Sequence, residues 1–228
     1  MRFNFDRQTK LFLLSTLLYG FSFSVWELFF NLYILSRGFN NDMLGLIRSA
    51  TPLAALLLGL PLGLLSDRIG RRTSMIIGLV IGFVGMLLEI WLLHPLFIFF
   101  FGLVQGAGFM LYRVSQSPFI MAASKEENQA MIFSLNFGLL TVAAMIGNLT
   151  AGQVPDLLDR LYGVAQGSAA SYQWVITGGI FLAMTSLIPI FMLQKDGKNK
   201  QQTPLFTPSL RVMVGKLIGR KLARRLAL

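Results

Sequence analysis

The chain has 228 residues, 54% of them hydrophobic and only 13% charged, whereas an average soluble chain is about 25% charged; one water-soluble core cannot hide so much apolar side chain. With no cysteine and a single histidine, His94 beside Pro95, disulfide frameworks, thiol chemistry and Cys- or His-built metal sites are excluded, and neither a catalytic set nor a cofactor site is expected. The net charge of +10 at pH 7 gathers beside apolar stretches, which is the pattern of membrane topology rather than of nucleic-acid binding.

A bilayer core about 30 Å thick takes about 20 apolar residues as helix, and six segments qualify. The first, Leu11–Leu35, follows Arg2, Arg7 and Lys10 as a signal peptide would. No small-residue cleavage site follows it, and the apolar run continues through Trp26–Tyr33, so a retained helix is expected. Next come Met43–Leu65, Thr73–Leu93 and Pro95–Ser117. The fifth and sixth, Ala130–Ala151 and Tyr172–Leu193, carry Asn136, Asn148, Gln173 and Thr177. They count as spans because backbone in lipid must satisfy its own hydrogen bonds. Gly152–Ser171, between them, reads as the one long loop. Small residues four apart, Gly59/Gly63, Gly78/Gly82 and Gly102/Gly106, would let helices approach closely.

Residues 194–228 form a separate basic unit after the bundle of residues 1–193. Gln194–Pro208 is a polar linker, and Ser209 can cap a helix with Leu210, Val214, Ile218, Leu222 and Leu226 along one row. Lys216, Arg220, Lys221, Arg224 and Arg225 line its other faces, which suits the surface of an anionic leaflet. A partner-binding helix or a disordered end are the other readings of this segment.

Orientation follows from Lys and Arg between spans. Sixteen fall at the termini, in the loop after the second span and in that after the fourth, against two, Arg37 and Arg160, on the other side. Both termini are therefore expected in the cytoplasm, in a multi-pass protein of the cell membrane.

Ionisable residues within spans cost about 2.5–3.5 kcal/mol or more, so each calls for a partner or a purpose. Four stand out: Glu27, Arg48, Glu89 and Arg113. At about 1.5 Å of rise per residue, Glu27, Arg48 and Glu89 lie at similar depths below the outer face, so Arg48 can pair with either acid. Arg113 lies nearer the inner end and out of their reach unless the helices tilt strongly. One reading makes the pair a fixture of helix packing; the other has Glu27 face a cavity and carry a proton. Arg113 could bind an anionic group, counter a carboxylate or snorkel to the interface. Trp26, Phe29, Phe30 and Tyr33, with Asn31, would line that cavity for a bulky apolar solute. Gln105, Tyr112, Ser115, Gln116 and Asn136 are expected to face the interior rather than lipid.

Between the second and third spans stands Gly63-Leu64-Leu65-Ser66-Asp67-Arg68-Ile69-Gly70-Arg71-Arg72. This resembles the signature loop of the major facilitator superfamily, roughly G-x-L-[AS]-D-R-x-G-R-[RK], in length, place and side. Asp67 would close the second helix and Gly70 permit the tight turn. The resemblance implies a conformational latch built from Gly63, Asp67, Arg68, Gly70, Arg71 and Arg72. Two weaker echoes follow. Gln105-Gly106-Ala107-Gly108 resembles the end of the family's R-x-x-Q-G-x-G motif, but Gly102 stands where the arginine linked with proton coupling belongs; Arg113, further along the helix, is a candidate substitute. Gly147-Asn148-Leu149-Thr150-Ala151-Gly152 resembles the antiporter motif G-P-x-x-G-G with Asn148 in place of proline.

The resemblance covers Met1 to Leu193 and corresponds to the first half of the family's fold. It implies an all-α membrane protein: a six-transmembrane-helix bundle of major facilitator type, itself a 3+3 inverted repeat, with a C-terminal basic amphipathic helix. In the family, helices 1, 2, 4 and 5 line the cavity and 3 and 6 lie outside, which favours Glu27 over Glu89. The implied activity is transport of a small solute as the N-terminal half of a secondary transporter, with proton coupling and drug efflux among the options. The implied partners are the lipid bilayer, the solute, a proton, and a second six-helix bundle from another chain or another copy; nucleic acid is not among them. A membrane-embedded interaction protein or an inactive fragment is the competing reading.

Overall fold

A computed structural model of the chain describes residues 5–124, 126–163 and 167–194. Five long helices come first: α1 (Arg7–Ser36), α2 (Asn41–Ile69), α3 (Arg71–Trp91), α4 (Pro95–Ala123) and α5 (Glu126–Ala151). The short α6 (Val154–Tyr162) is followed by α7 (Ala169–Met184) and α8 (Leu187–Phe191). Among the described residues six helical stretches are long and apolar enough to cross a membrane. Lys216, Arg220, Lys221, Arg224 and Arg225, with the expected amphipathic helix, lie outside the described residues.

The helix ends obey local chemistry. The Asp6 carboxylate accepts from the Arg7 amide, Asn40 Oδ1 accepts from the Met43 amide at 2.9 Å, and Pro95 opens α4, where a missing N–H costs nothing. Gly70 joins α2 to α3 without an intervening loop at φ 90°, a backbone that a side chain would strain.

Two expectations are corrected. The loop Gly152–Ser171 contains α6, a nine-residue helix with Pro155 in its first turn and Gly163 as its left-handed cap. The last span is not continuous either, because α7 stops and α8 starts at Thr185 and Ser186. At that break the Ser15 hydroxyl of α1 donates to the Ser186 carbonyl at 2.9 Å, so a tertiary bond accompanies the interruption.

Without a hydrophobic drive between helices in lipid, small residues decide which backbones can touch. A Cβ on Gly78 would lie 2.6 Å from the Gly108 carbonyl oxygen, and one on Gly108 only 2.4 Å from the Gly82 amide nitrogen; α3 and α4 thus cross backbone to backbone. Gly106 meets Thr51 and Ala54 in the same way, which places α4 between α2 and α3. On the other flank Gly147 of α5 lies against Phe21 and Ser24 of α1. Gly63 corrects the spacing argument: a Cβ there would meet nothing within 4 Å, and at Gly59 only the flexible end of Met110 is near.

An aromatic cluster joins α1, α3 and α4, with Tyr19 against Phe23, Phe83, Phe109 and Tyr112. At the end of the bundle where α1 finishes, the Tyr33 hydroxyl donates to the Ile90 carbonyl at 2.6 Å, and Arg37 donates to Gln173 at 2.6 Å. Nearby, the Asp159 carboxylate accepts from the Gly167 amide and from the Ser168 and Ser171 hydroxyls, fastening α6 to the start of α7. By contrast α1 and α2 barely touch, and the space between them is the cavity described next.

Candidate functional site

Each wall of this cavity is one helical face, built from residues three or four positions apart. From α1 come Phe23, Trp26 and Glu27; from α2, Arg48, Thr51, Pro52 and Ala55. The α4 wall holds Gln105, Gly106, Phe109, Met110 and Arg113. Together they enclose about 560 Å³, within the range of small-molecule pockets.

The Arg48 guanidinium donates to Glu27 Oε2 at 2.7 Å, with the side chains 33% and 46% exposed. Of the two acids open to Arg48, it is Glu27 that pairs. Glu89 on α3 is 2% exposed, and its Oε1 has no hydrogen-bond partner among the described residues. Its carboxyl fills the space beside Gly102, where a Cβ would sit 3.4 Å from Oε1 and 2.9 Å from the Ala50 methyl. The position at which the family's arginine is missing is thus the position over which an acid from α3 lies. Replacing Arg48 by alanine is expected to lower stability by about 1–2 kcal/mol, between the limits for exposed and buried pairs. Detergent-phase melting checks this: Arg48→Ala with Glu27→Gln should recover part of the loss, and recovery with Glu89→Gln instead would reassign the pair.

Arg113 is exposed and lines the same cavity as Glu27 and Arg48, yet no carboxylate among the described residues pairs with it. Gln105 is buried, and its Oε1 accepts from the Thr51 hydroxyl at 3.2 Å, tying α4 to α2 behind the pair. Asn136 is elsewhere: its Oδ1 accepts from the Thr16 hydroxyl at 2.8 Å in the α1–α5 seam. Of the four α1 aromatics expected there, Trp26, Phe29, Phe30 and Tyr33, Trp26 alone lines the cavity. Phe29 stacks on Tyr172, while Phe30 and Tyr33 are buried in the core.

Phe23, Thr51, Phe109 and Met110 were not anticipated from sequence. Their signal was present: Phe23 is four residues from Glu27, Thr51 three from Arg48, and Phe109 and Met110 four and three from Arg113, so each shares a face with a charge.

At the end of the bundle where α1 begins, Arg71 donates to the Pro118 carbonyl of α4 at 2.8 Å. Arg72 donates to the carbonyls of Ile190 and Phe191 in the last turn of α8, the first of which also accepts from the Leu193 amide at 3.1 Å. Ser66 and Ser115 hydrogen-bond between α2 and α4 at 2.8 Å. Asp67 is half-buried and Arg68 exposed in the last turn of α2, while Gly63 faces open space.

Residues 12–226 match the family model described as Major Facilitator Superfamily. Among solved structures, the crystal structure of the E. coli fucose:proton symporter has a similar fold, with a TM-score of 0.67 at 14% identity. The match covers 90% of this chain and 55% of that one, so the chain spans about half the length of the transporter it resembles. No curated protein matches the sequence.

Proposed function

Because the chain belongs to the major facilitator superfamily, we propose that it is one six-helix half of a secondary transporter, moving a small solute through alternating access. The observation that carries this reading is the convergence of Glu27, Arg48, Gln105 and Arg113 on one cavity. Charges are held within a membrane bundle where they serve a solute or ion path.

A second six-helix bundle, from another chain or a second copy, supplies the facing wall. The large exposed apolar side chains of α2 and α5, among them Leu56, Leu60, Phe137 and Leu149, give such a bundle surface to pack on. Glu27 carries a proton, as a solute:proton symporter requires of some carboxylate. Gly63, Asp67, Arg68, Gly70, Arg71 and Arg72 form a latch in which Arg71 holds α4 and Arg72 the end of α8 in this state, both releasing them in the other. The excess of Lys and Arg at the termini places both in the cytoplasm of a cell-membrane protein, with the basic tail on the anionic leaflet.

The test is proton flux. The chain is purified from its native membrane, so that a second bundle comes with it, and reconstituted into liposomes loaded with a pH dye. One class among added sugars, organic anions and amphipathic cations is expected to evoke internal acidification. Traces no different from protein-free liposomes for all three classes would overturn proton coupling, and a matching absence of radiolabelled uptake in the same liposomes would overturn the transport reading.

A further inference from the structure

We propose that the solute is an amphipathic organic anion, one carboxylate on an aromatic or apolar body, and that Arg113 holds its head group. The inference rests on the transport reading and names the chemistry of the same cavity. Among the described residues three charged side chains line that cavity, and two of them cancel: Arg48 is engaged by Glu27 at 2.7 Å. Arg113 is left, exposed into the cavity, with no carboxylate pairing to it among the described residues. The Tyr19 hydroxyl stands beside it, a neutral neighbour that leaves the charge in place. A guanidinium held in a low-dielectric wall attracts an anion more strongly than it would in water, and its planar fork matches a carboxylate with two parallel hydrogen bonds.

The remaining lining sets the body of the ligand. Phe23, Trp26 and Phe109 offer ring faces, and Pro52, Ala55 and Met110 offer aliphatic surface. The other uncharged polar side chains, Thr51 and Gln105, are bonded to each other. A polyhydroxylated solute would find few free partners here, and leaving its hydroxyls unpaired is costly. A cationic solute would meet Arg113 with Glu27 already engaged.

Trp26 serves as the reporter. The full chain, in a Trp91→Phe/Trp174→Phe background that leaves Trp26 as its one tryptophan, is titrated in detergent with 4-nitrobenzoate, 4-nitrobenzyl alcohol and 4-nitrobenzylammonium. Saturable quenching by the anion is expected at a concentration about ten-fold below that for the alcohol, as a charge-assisted bond implies. Arg113→Gln should erase that difference, and Arg113→Lys should keep most of it. Alcohol or ammonium binding as tightly as the anion would overturn the proposal while leaving a solute site in place. An unchanged anion affinity in Arg113→Gln would overturn it too. Absence of saturable quenching by any of the three probes would likewise overturn it, and silence in the liposome assay would be needed to remove the transport reading as well.

Discussion

Gly108→Leu is expected to destabilise the bundle by more than about 3 kcal/mol, the upper part of the range for overpacking. The reason is what the new side chain would meet. Its Cβ alone would fall 2.4 Å from the Gly82 amide nitrogen and 2.7 Å from the Gly78 carbonyl oxygen. Both are backbone atoms within α3, so neither can swing aside as a side-chain end could. Relief requires α3 and α4 to separate, and α4 is also held on its far side, where Gly106 meets Thr51 and Ala54 of α2. The control is Gly138→Ala in α5, where a Cβ would meet nothing within 4 Å; relieving a helical glycine there should gain about 0.5–1 kcal/mol. Melting of the purified variants in one detergent, followed by circular dichroism, measures both. A Gly108→Leu protein that melts with the parent would refute the backbone-to-backbone crossing of α3 and α4.

How much of this could be read from sequence depended on whether the signal was one-dimensional. Six spans were legible because length and apolarity are properties of a segment, and the turn at Gly70 because only glycine suits its φ of 90°. The helix α6 was hidden within what read as a loop, although its cues lie in the sequence: Pro155 and Asp156 in the first turn, Arg160 in the last and Gly163 as cap. The break between α7 and α8 also has a cue, Pro189, which offers no N–H to the Thr185 carbonyl four residues back; the bond from Ser15, 171 residues away, is the part that no local signal shows. Lateral position is the harder quantity. Depth put Arg48 level with both Glu27 and Glu89, and only the packing of α3 and α4 buries one acid and leaves the other facing the arginine. Asn136 was correctly read as turned away from lipid, but the interior it faces is the α1–α5 seam and the Thr16 hydroxyl. Glycine spacing had the same limit, because Gly78 and Gly63 stand in equivalent pairs and meet a backbone and nothing, respectively.

Glu27→Gln is expected to abolish proton-driven accumulation while sparing exchange of solute across the membrane. Glutamine keeps the shape of the side chain and an oxygen that can still accept from Arg48, now 2.7 Å from Glu27 Oε2, but it cannot take up and release a proton. Movement of the solute down its own gradient does not need that step; movement against it does. An inward gradient of about one pH unit supplies about 1.4 kcal/mol per proton, which limits accumulation to about ten-fold. The variant should level off at equal concentrations inside and out, while trans-stimulated exchange in the same liposomes persists. The substitution also bears on the charge of the cavity. With Glu27 neutral, Arg48 is no longer cancelled, and two guanidiniums face the space in which, among the described residues, Arg113 was the uncompensated one. An anionic solute should therefore bind Glu27→Gln at least as tightly as the parent even though the variant cannot concentrate it. Binding retained with accumulation lost assigns the proton to Glu27. Accumulation that still follows the pH gradient would remove Glu27 from the mechanism and leave its pairing with Arg48 as a packing contact.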